Sequence, residues 1–325
     1  MIRYRNHAYR CLCLAAVILA ACTDARPEKS AAATNAVLFE PALFEPGVIS
    51  TGDYDTHPAF SPSGDTLYFL KCTPDINACT ICVSYKKAGR WTAPVIASFS
   101  GRYTDVDPFV TKDGNTLYFA SDRPIHPGES IRTDWDIWKT ERTSAGWSAP
   151  VHLDTVINSP ESEYYPTQTD DGTLYFSSGR KGGLGGADIY CCRLVNGKYT
   201  VREHLSSAVN TACNEYEPFI APDESYLLFM ATIPNGLGNG DIYISCRQNG
   251  QWSPARKLPP PINTSASEWS PKVTRDGKYL FFGSARSIPA SVPSAPVPLR
   301  VYKQTQLYRP GNGLGDIYYM NFSAF

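Results

Sequence analysis

The chain has 325 residues, with 30 Lys and Arg against 31 Asp and Glu, and a formal net charge of -1. No basic stripe stands out, which argues against a nucleic-acid partner. The 20 Tyr, 14 Phe and 6 Trp provide flat packing surfaces, and the 24 Gly and 26 Pro provide turns.

The first 21 residues have the layout of an export signal. Three arginines precede an apolar run, residues 11–21, that is too short to span a bilayer. The run ends in Leu19-Ala20-Ala21-Cys22, which resembles the lipobox of bacterial lipoproteins. Cys22 is therefore the predicted lipidation site. An ordinary secretory signal with an incidental cysteine is the alternative.

Residues 22–36 are rich in Ala, Thr, Lys, Glu and Pro and show no apolar period, so they are predicted to form a flexible tether. In proteobacterial lipoproteins an aspartate directly after the cysteine favours the inner membrane, and here Thr23 occupies that place. We therefore expect a lipid-anchored protein of the bacterial envelope, in the outer membrane, with its body in the periplasm or at the cell surface.

Residues 37–325 are predicted to form one domain built from five copies of a single unit. Each copy begins with an acid three places before a proline, and a turn pair follows five places after that proline. Successive prolines are 50, 58, 52 and 53 residues apart, close to the period of a propeller blade. The five acids are Asp55, Asp105, Glu163, Glu215 and Glu268.

Each unit contains signals for four strands. A short strand follows the acid, and a turn such as Asp171-Gly172 leads into an aromatic, β-rich second strand. A third strand begins at an Asp-Ile-Tyr motif such as that at Asp188, and an aromatic residue such as Trp252 marks the fourth. The sequence thus predicts an all-β fold, a five-bladed β-propeller of four-stranded antiparallel blades.

The two ends of the repeat array are complementary. Residues 37–49 look like a fourth strand without its blade, whereas the last copy runs out after its third strand, which begins at Asp316. Pairing the N-terminal strand with the last blade would close the ring and leave neither as an open edge.

Three cysteines cluster in the first blade. Cys72 follows its second strand, and Cys79 and Cys82 begin its third. In an exported protein these residues are better read as disulfide partners than as metal ligands, so we expect a bridge that closes this hairpin. Cys79 and Cys82 also have the spacing of half a zinc site, but no second half completes it, and no metal is predicted.

The run Asp-Gly-x-x-Leu-Tyr-Phe-x-Ser-x-Arg, followed by Asp-Ile-Tyr, resembles the WD40-like PD40 repeat of TolB-type propellers. That resemblance covers about 270 residues and implies an envelope scaffold that meets proteins or cell-wall material. TolB itself has an α/β domain and a six-bladed propeller, neither of which is visible here. The motif is carried by Asp113-Gly114 with Ser121 and Arg123, Asp171-Gly172 with Ser178 and Arg180, and Asp276-Gly277 with Ser284 and Arg286.

The repeated acids have two interpretations. They would form a ring on the face where the chain enters the first strand of each blade, and five like charges there need an offset. Either each acid pairs with the arginine or a backbone amide of its own blade, or the ring binds a cation or polar ligand. The basic candidates are Arg123, Arg180 and Arg286.

Departures from the repeat point to further candidates. His57 stands alone before its proline, and Asp107 and Glu217 add second acids; each is either an exposed loop residue or part of a site. Three Gly-rich loops lead into strands rather than helices, which favours tight loops over a phosphate site. The Pro-rich, basic insertion 287–310 is a lid, a docking segment or a disordered spacer.

Two functions follow from these features. The preferred one is a non-catalytic envelope lipoprotein whose propeller loops bind a protein or a cell-wall glycan, without a cofactor. The alternative is a glycan-active enzyme with a carboxylate pair at the channel mouth. Two carboxyls in an open pocket would favour the enzyme, and acids bonded to blade arginines would favour the scaffold.

Overall fold

The computed structural model describes residues 40–234 and 236–322. The predicted signal, the lipidation site Cys22 and the tether lie outside the described residues. The described chain forms five antiparallel sheets, each with its strands in sequence order from the first strand outward, apart from one N-terminal strand. It is a five-bladed, all-β propeller, as the repeat predicts.

Each blade has three long strands and an outer strand. A proline-containing stretch divides the outer strand of blades 1, 2 and 4, the outer strand of blade 5 is short, and that of blade 3 is continuous. Blade 1 comprises β2 Tyr54–Phe60, β3 Thr66–Cys72, β4 Cys79–Lys87, β5 Arg90–Trp91 and β6 Val95–Ile96. Blade 2 comprises β7 Asp105–Val110, β8 Thr116–Ser121, β9 Asp136–Thr143, β10 Gly146–Trp147 and β11 Val151–His152. Blade 3 comprises β12 Glu163–Gln168, β13 Leu174–Ser178, β14 Asp188–Val195 and β15 Lys198–His204. Blade 4 comprises β16 Glu215–Ile220, β17 Tyr226–Ala231, β18 Asp241–Gln248, β19 Gln251–Trp252 and β20 Arg256–Lys257.

Blade 5 closes the ring in the predicted way. It comprises β21 Glu268–Val273, β22 Tyr279–Ser284, β23 Asp316–Asn321 and the N-terminal strand β1 Ala42–Leu43, which pairs antiparallel with β23. Phe44 then packs edge-on against Phe60 and Trp91 of blade 1 and Phe281 of blade 5. The strand β1 therefore joins the two ends of the array.

The core lies between the blades rather than within any one of them. The second-strand aromatics Phe69, Phe119, Phe176, Phe229 and Phe282 have no exposed surface. The hydrophobic clusters draw their members from neighbouring blades, for example from blades 1 and 2 and from blades 2 and 3. Each such phenyl ring contributes roughly 1.5–3 kcal/mol of burial energy, so neighbouring blades stabilise one another.

The first blade carries the predicted hairpin bridge. Cys72 and Cys79 form a disulfide, and they sit opposite each other on β3 and β4. Cys82 is buried and has a free thiol, so the bridge uses the nearer of the two candidate partners.

In the described chain, the α- and π-helical segments lie in the insertion of blade 5, where α1 Leu299–Tyr302 continues into a π-helical turn, Lys303–Leu307. Among the described residues, no helix has the length and apolarity needed to cross a bilayer.

Candidate channel-mouth site

The five repeated acids lie inside the blades and not around an open ring. Each is the first or second residue of the first strand of its blade, and none has exposed surface. In four blades the carboxylate accepts hydrogen bonds from the backbone N–H and the hydroxyl of a Ser or Thr four residues earlier. These donors are Thr51, Ser159, Thr211 and Thr264.

Three of these carboxylates also bind the arginine of their own blade. Glu163 accepts from Arg180 at 3.0 Å, Glu268 accepts from Arg286 at 3.3 Å, and Asp105 pairs with Arg123. A serine at the end of the second strand completes each triad. In blade 1, Lys71 stands at the position of the serine and provides the basic group, with its Nζ 2.6 Å from Asp55.

In the described part of blade 4, Glu215 has no basic partner like that of the acids in the other four blades. Ala231 and Ile233 occupy the positions of the triad serine and arginine, and Glu215 is held by Thr211. Burial raises the pKa of Glu215, as it raises the pKa of Glu163 and Asp105 against the opposing pull of their arginines. The repeated acid therefore fixes the entry to each blade, and the basic candidates Arg123, Arg180 and Arg286 are buried or half-buried with it.

The residue before each proline occupies a special backbone position. In every first strand the pairing register shifts by one residue between the acid and the second half of the strand, which is a β-bulge. The residue at this bulge has a left-handed backbone, which costs a non-glycine residue about 1 kcal/mol or more. The five residues are His57, Asp107, Tyr165, Glu217 and Ser270, with φ between 50° and 58°.

Three of these bulge residues come together at the propeller axis. The His57 Nε2 atom lies 3.3 Å from an Asp107 oxygen and 3.5 Å from a Glu217 oxygen. Because both oxygens are within 3.5 Å of one atom, they are less than 7 Å apart. The interpretation of these residues as exposed loop residues is wrong, since Asp107 and Glu217 are 5% and 3% exposed.

The other two bulge residues complete the cluster. Asp107 accepts a hydrogen bond from the backbone N–H of Tyr165, and Glu217 accepts one from the backbone N–H of Ser270. The Tyr165 ring stacks on His57 with its centroid 5.6 Å away and an interplanar angle of 10°. The bulges thus provide backbone donors to the two acids as well as side chains.

Burial changes the proton affinities of this cluster. Removal from water raises the pKa of Asp107 to about 7, with the Glu217 charge adding to the rise and His57 opposing it. The same desolvation lowers the pKa of the Lys272 ammonium to about 8, although both carboxylates act to raise it. The pKa of the Tyr165 phenol lies well above its usual value because of burial and the neighbouring carboxylates.

A cavity of about 380 Å³ opens over this cluster. Its floor contains His57, Asp107 and Glu217, and its walls include the aromatic rings of Tyr54, Tyr165, Trp135 and Trp269. This volume falls within the usual range for small-ligand pockets, about 300–1,000 Å³. Neither nitrogen of the His57 ring forms a hydrogen bond of good geometry within the described chain, although Nε2 lies close to both carboxylates.

The opposite end of the channel is narrower. A cavity of about 100 Å³ there is lined by apolar side chains and by charged ones that include Lys272, Arg275 and Asp170. The Arg275 side chain forms an ion pair of 2.9 Å with Asp170, linking blades 5 and 3, and Lys112 of blade 2 binds the Asp170 carbonyl. The larger cavity therefore lies at one end of the channel, on the side of the bulges.

The remaining sequence candidates lie outside this cluster. The Gly-rich loops are closed by the aspartate of their own third strand: Asp188 accepts from the backbone N–H of Leu184, and Asp241 accepts from that of Leu237. They are tight loops, as their context predicts. No residue of the insertion 287–310 lines the cavity over the floor cluster. No cluster of three or more His, Cys, Asp or Glu side chains in the described chain has the arrangement of a metal site.

Sequence reasoning found three of the floor residues and missed the others. His57, Asp107 and Glu217 were visible as departures from the repeat, whereas Tyr165 and Ser270 were not considered. A usable signal was present, because all five stand directly before the repeated proline. Aligning that single column of the repeat would have identified the whole bulge ring.

The fold and this site define a five-bladed β-propeller with a polar-floored cavity at one mouth of its channel. No protein-family model matches the chain, and no curated protein matches it. Solved structures similar to it include TolB from Acinetobacter baumannii, with a TM-score of 0.47 and 14% identity over 82% of this chain and 54% of that chain. The chain thus spans about half the length of that TolB.

In two further solved structures, the similarity to this chain extends over nearly the whole length of the other chain. A putative TolB from Agrobacterium tumefaciens gives a TM-score of 0.47 at 15% identity, over 83% of this chain and 91% of that chain. A thermostable family-43 glycoside hydrolase gives 0.50 at 12% identity, over 86% and 92%. The propeller fold agrees with what the resemblance to TolB-type propellers implied, and the structures similar to this chain include both TolB proteins and glycoside hydrolases.

Proposed function

We propose that this protein is a non-catalytic lipoprotein of the bacterial envelope that binds a cell-wall glycan in the cavity at its channel mouth. The observation that carries the proposal is the combination of aromatic walls and a carboxylate floor in one cavity. Sugar rings present apolar C–H faces that pack on aromatic rings, and hydroxyl groups that donate hydrogen bonds to carboxylates.

The walls are well placed for such packing. Trp135 is half-buried, and Tyr54 stacks on Trp269 with their centroids 5.8 Å apart. The Trp269 indole N–H donates to Thr56, which fixes the plane of that ring. Rigid aromatic groups lose little conformational entropy on binding, which favours affinity.

Binding would be measured by calorimetry with soluble peptidoglycan fragments and other envelope glycans. We expect Trp135→Ala to weaken binding at least tenfold, the usual scale for losing a central aromatic contact. Tyr85→Ala is the matched control, because Tyr85 is an exposed aromatic residue at the blade perimeter and does not line the cavity. If the wild-type chain bound none of these glycans, or if both variants lost affinity equally, the proposal would be refuted.

Glycan hydrolysis is the second candidate, favoured by the Asp107–Glu217 pair. Their oxygens are less than 7 Å apart, which is compatible with the separations found in glycosidases. With a pKa of about 7, Asp107 retains its proton up to near neutrality, as a general acid requires. Cleavage of a bound glycan that disappears in both Asp107→Asn and Glu217→Gln would establish this activity; binding without cleavage would favour the first proposal.

The envelope location is part of the proposal and has its own test. Fatty-acid labelling in a bacterial host, followed by membrane fractionation, should show a lipid-modified chain in the outer-membrane fraction. Cys22→Ser should abolish the label. Labelling that persists in this variant would refute lipidation at Cys22.

A further inference from the structure

We propose that the insertion of blade 5, residues 287–310, docks on an anionic lipid surface. This segment lies between β22 and β23 and exposes several large apolar side chains to solvent. The exposed fractions are 90% for Val292, 68% for Leu299, 62% for Tyr308, 48% for Leu307 and 45% for Tyr302. No residue between 287 and 310 is buried.

The charge of the insertion is of one sign. Residues 287–315 contain no Asp or Glu, and they carry Arg300, Lys303 and Arg309. Within the described chain, neither Arg300 nor Lys303 forms an ion pair, and Arg300 bonds to the neutral Gln304. The segment therefore presents uncompensated positive charge beside apolar side chains, which complements the negative charge of anionic headgroups.

The base of the insertion is fixed to the propeller. Arg309 donates to backbone carbonyls at both ends of the segment, including that of Ile288. Asn312 donates to the carbonyl of Gly52 at 3.1 Å, and Gln306 donates to that of Ser291 at 3.0 Å. The apolar and basic groups are thus held on an ordered support, which lowers the entropic cost of binding a surface.

A lipid surface suits this segment better than the other occupants. It lines no part of the channel-mouth cavity, so a role as a lid has no support. Exposed Leu and Val with Tyr and basic residues are typical of segments that enter the headgroup region of a bilayer. To dock in the groove of a protein, the segment would need a helix with a repeated apolar stripe, and α1 has only four residues.

The N-terminal chain has the length to allow this contact. Residues 22–39 between the predicted lipid site and the first described residue number 18 and could span about 60 Å when extended. β1 runs antiparallel to β23, so the chain joins blade 5 from the end opposite the insertion. The six-residue β23 is only about 20 Å long, so a lipid anchored at Cys22 could share a membrane with the insertion.

Hydrogen exchange of the full chain, read peptide by peptide on vesicles, tests this directly. The vesicles would be phosphatidylcholine alone, or an equal mixture with phosphatidylglycerol, and co-sedimentation would measure how much protein each type binds. We expect hydrogen exchange in residues 287–310 to slow on the anionic vesicles. In the double variant Arg300→Glu with Lys303→Glu, this slowing should be smaller by about tenfold or more. The matched control, Lys87→Glu with Lys198→Glu, reverses two exposed charges at blade hairpins and should behave as wild type.

The outcomes separate the explanations. Unchanged exchange in 287–310 on anionic vesicles, with the protein bound, would overturn the proposal. Equal slowing on both vesicle types would overturn the anionic preference. Slowing that appears only when envelope proteins are added would indicate a protein partner instead. This measurement does not depend on glycan binding in the cavity. The lipid-docking proposal can therefore be refuted without refuting the proposed function, and the reverse also holds.

Discussion

Replacing Asp107 by Asn should stabilise the protein at alkaline pH, because the wild-type carboxylate is ionised in a buried place. Its folded-state pKa is about 7, against an ordinary value of 3.8. A carboxyl with a raised folded pKa binds more protons in the folded than in the unfolded state between these two values, so the free energy of unfolding falls as pH rises from about 4 to 7. At 1.36 kcal/mol per pKa unit, ionisation costs the folded state about 4 kcal/mol at pH 8, but less than half of that at pH 5.

The asparagine has no charge to bury and keeps an oxygen that can accept from the Tyr165 N–H. Relative to wild type, Asp107→Asn should therefore gain about 3 kcal/mol between pH 5 and pH 8. Urea unfolding of both proteins across this range measures the difference. The blade acids also titrate with raised pKa values, but they are common to both proteins and cancel.

Asp105→Asn is the control, because Asp105 is one of the five repeated acids inside the blades and does not belong to the channel-mouth cluster. It should destabilise at neutral pH by roughly 3–5 kcal/mol, because it leaves the guanidinium of Arg123 buried without its partner. If Asp107→Asn were destabilised equally at pH 5 and pH 8, the inference that ionised Asp107 destabilises the folded protein would be refuted.

Three further predictions concern the scaffold. Removing the buried guanidinium in Arg180→Leu should lower the free energy of unfolding by roughly 3–5 kcal/mol. The control Ile233→Leu, at the matching position in blade 4, should lower it by less than about 1.5 kcal/mol. Equal losses of the two variants in chemical denaturation would contradict the role assigned to the triad. Truncating Phe44, which bridges the first and last blades, should cost roughly 3–5 kcal/mol in the same assay, and a loss below about 1 would show that ring closure does not depend on it. Replacing Cys72 and Cys79 by serine opens a loop with a sequence separation of 7 and should lower the free energy of unfolding by roughly 2–3 kcal/mol under oxidising conditions. Under reducing conditions the wild type and the variant should have the same stability.

Much of this architecture is local information repeated five times. The acid, the proline, the turn pair and the Asp-Ile-Tyr motif each specify a strand or a turn by short-range chemistry. Their recurrence every 50 to 58 residues therefore predicted the blades and their number. The N-terminal strand could also be placed, because an unpaired strand and a blade short of one strand satisfy each other's backbone hydrogen bonds.

The chemistry of the channel mouth was decided by tertiary structure. His57, Asp107 and Glu217 belong to blades 1, 2 and 4, and only closure of the ring brings their side chains within 3.5 Å. Sequence could place the repeated acids at the blade entries but could not separate them from the second acids, because both are carboxylates two residues apart. The β-bulge turns the second residue toward the axis and leaves the first inside the blade. Burial, rather than residue type, then raises the pKa of Asp107 and makes this cluster the candidate site.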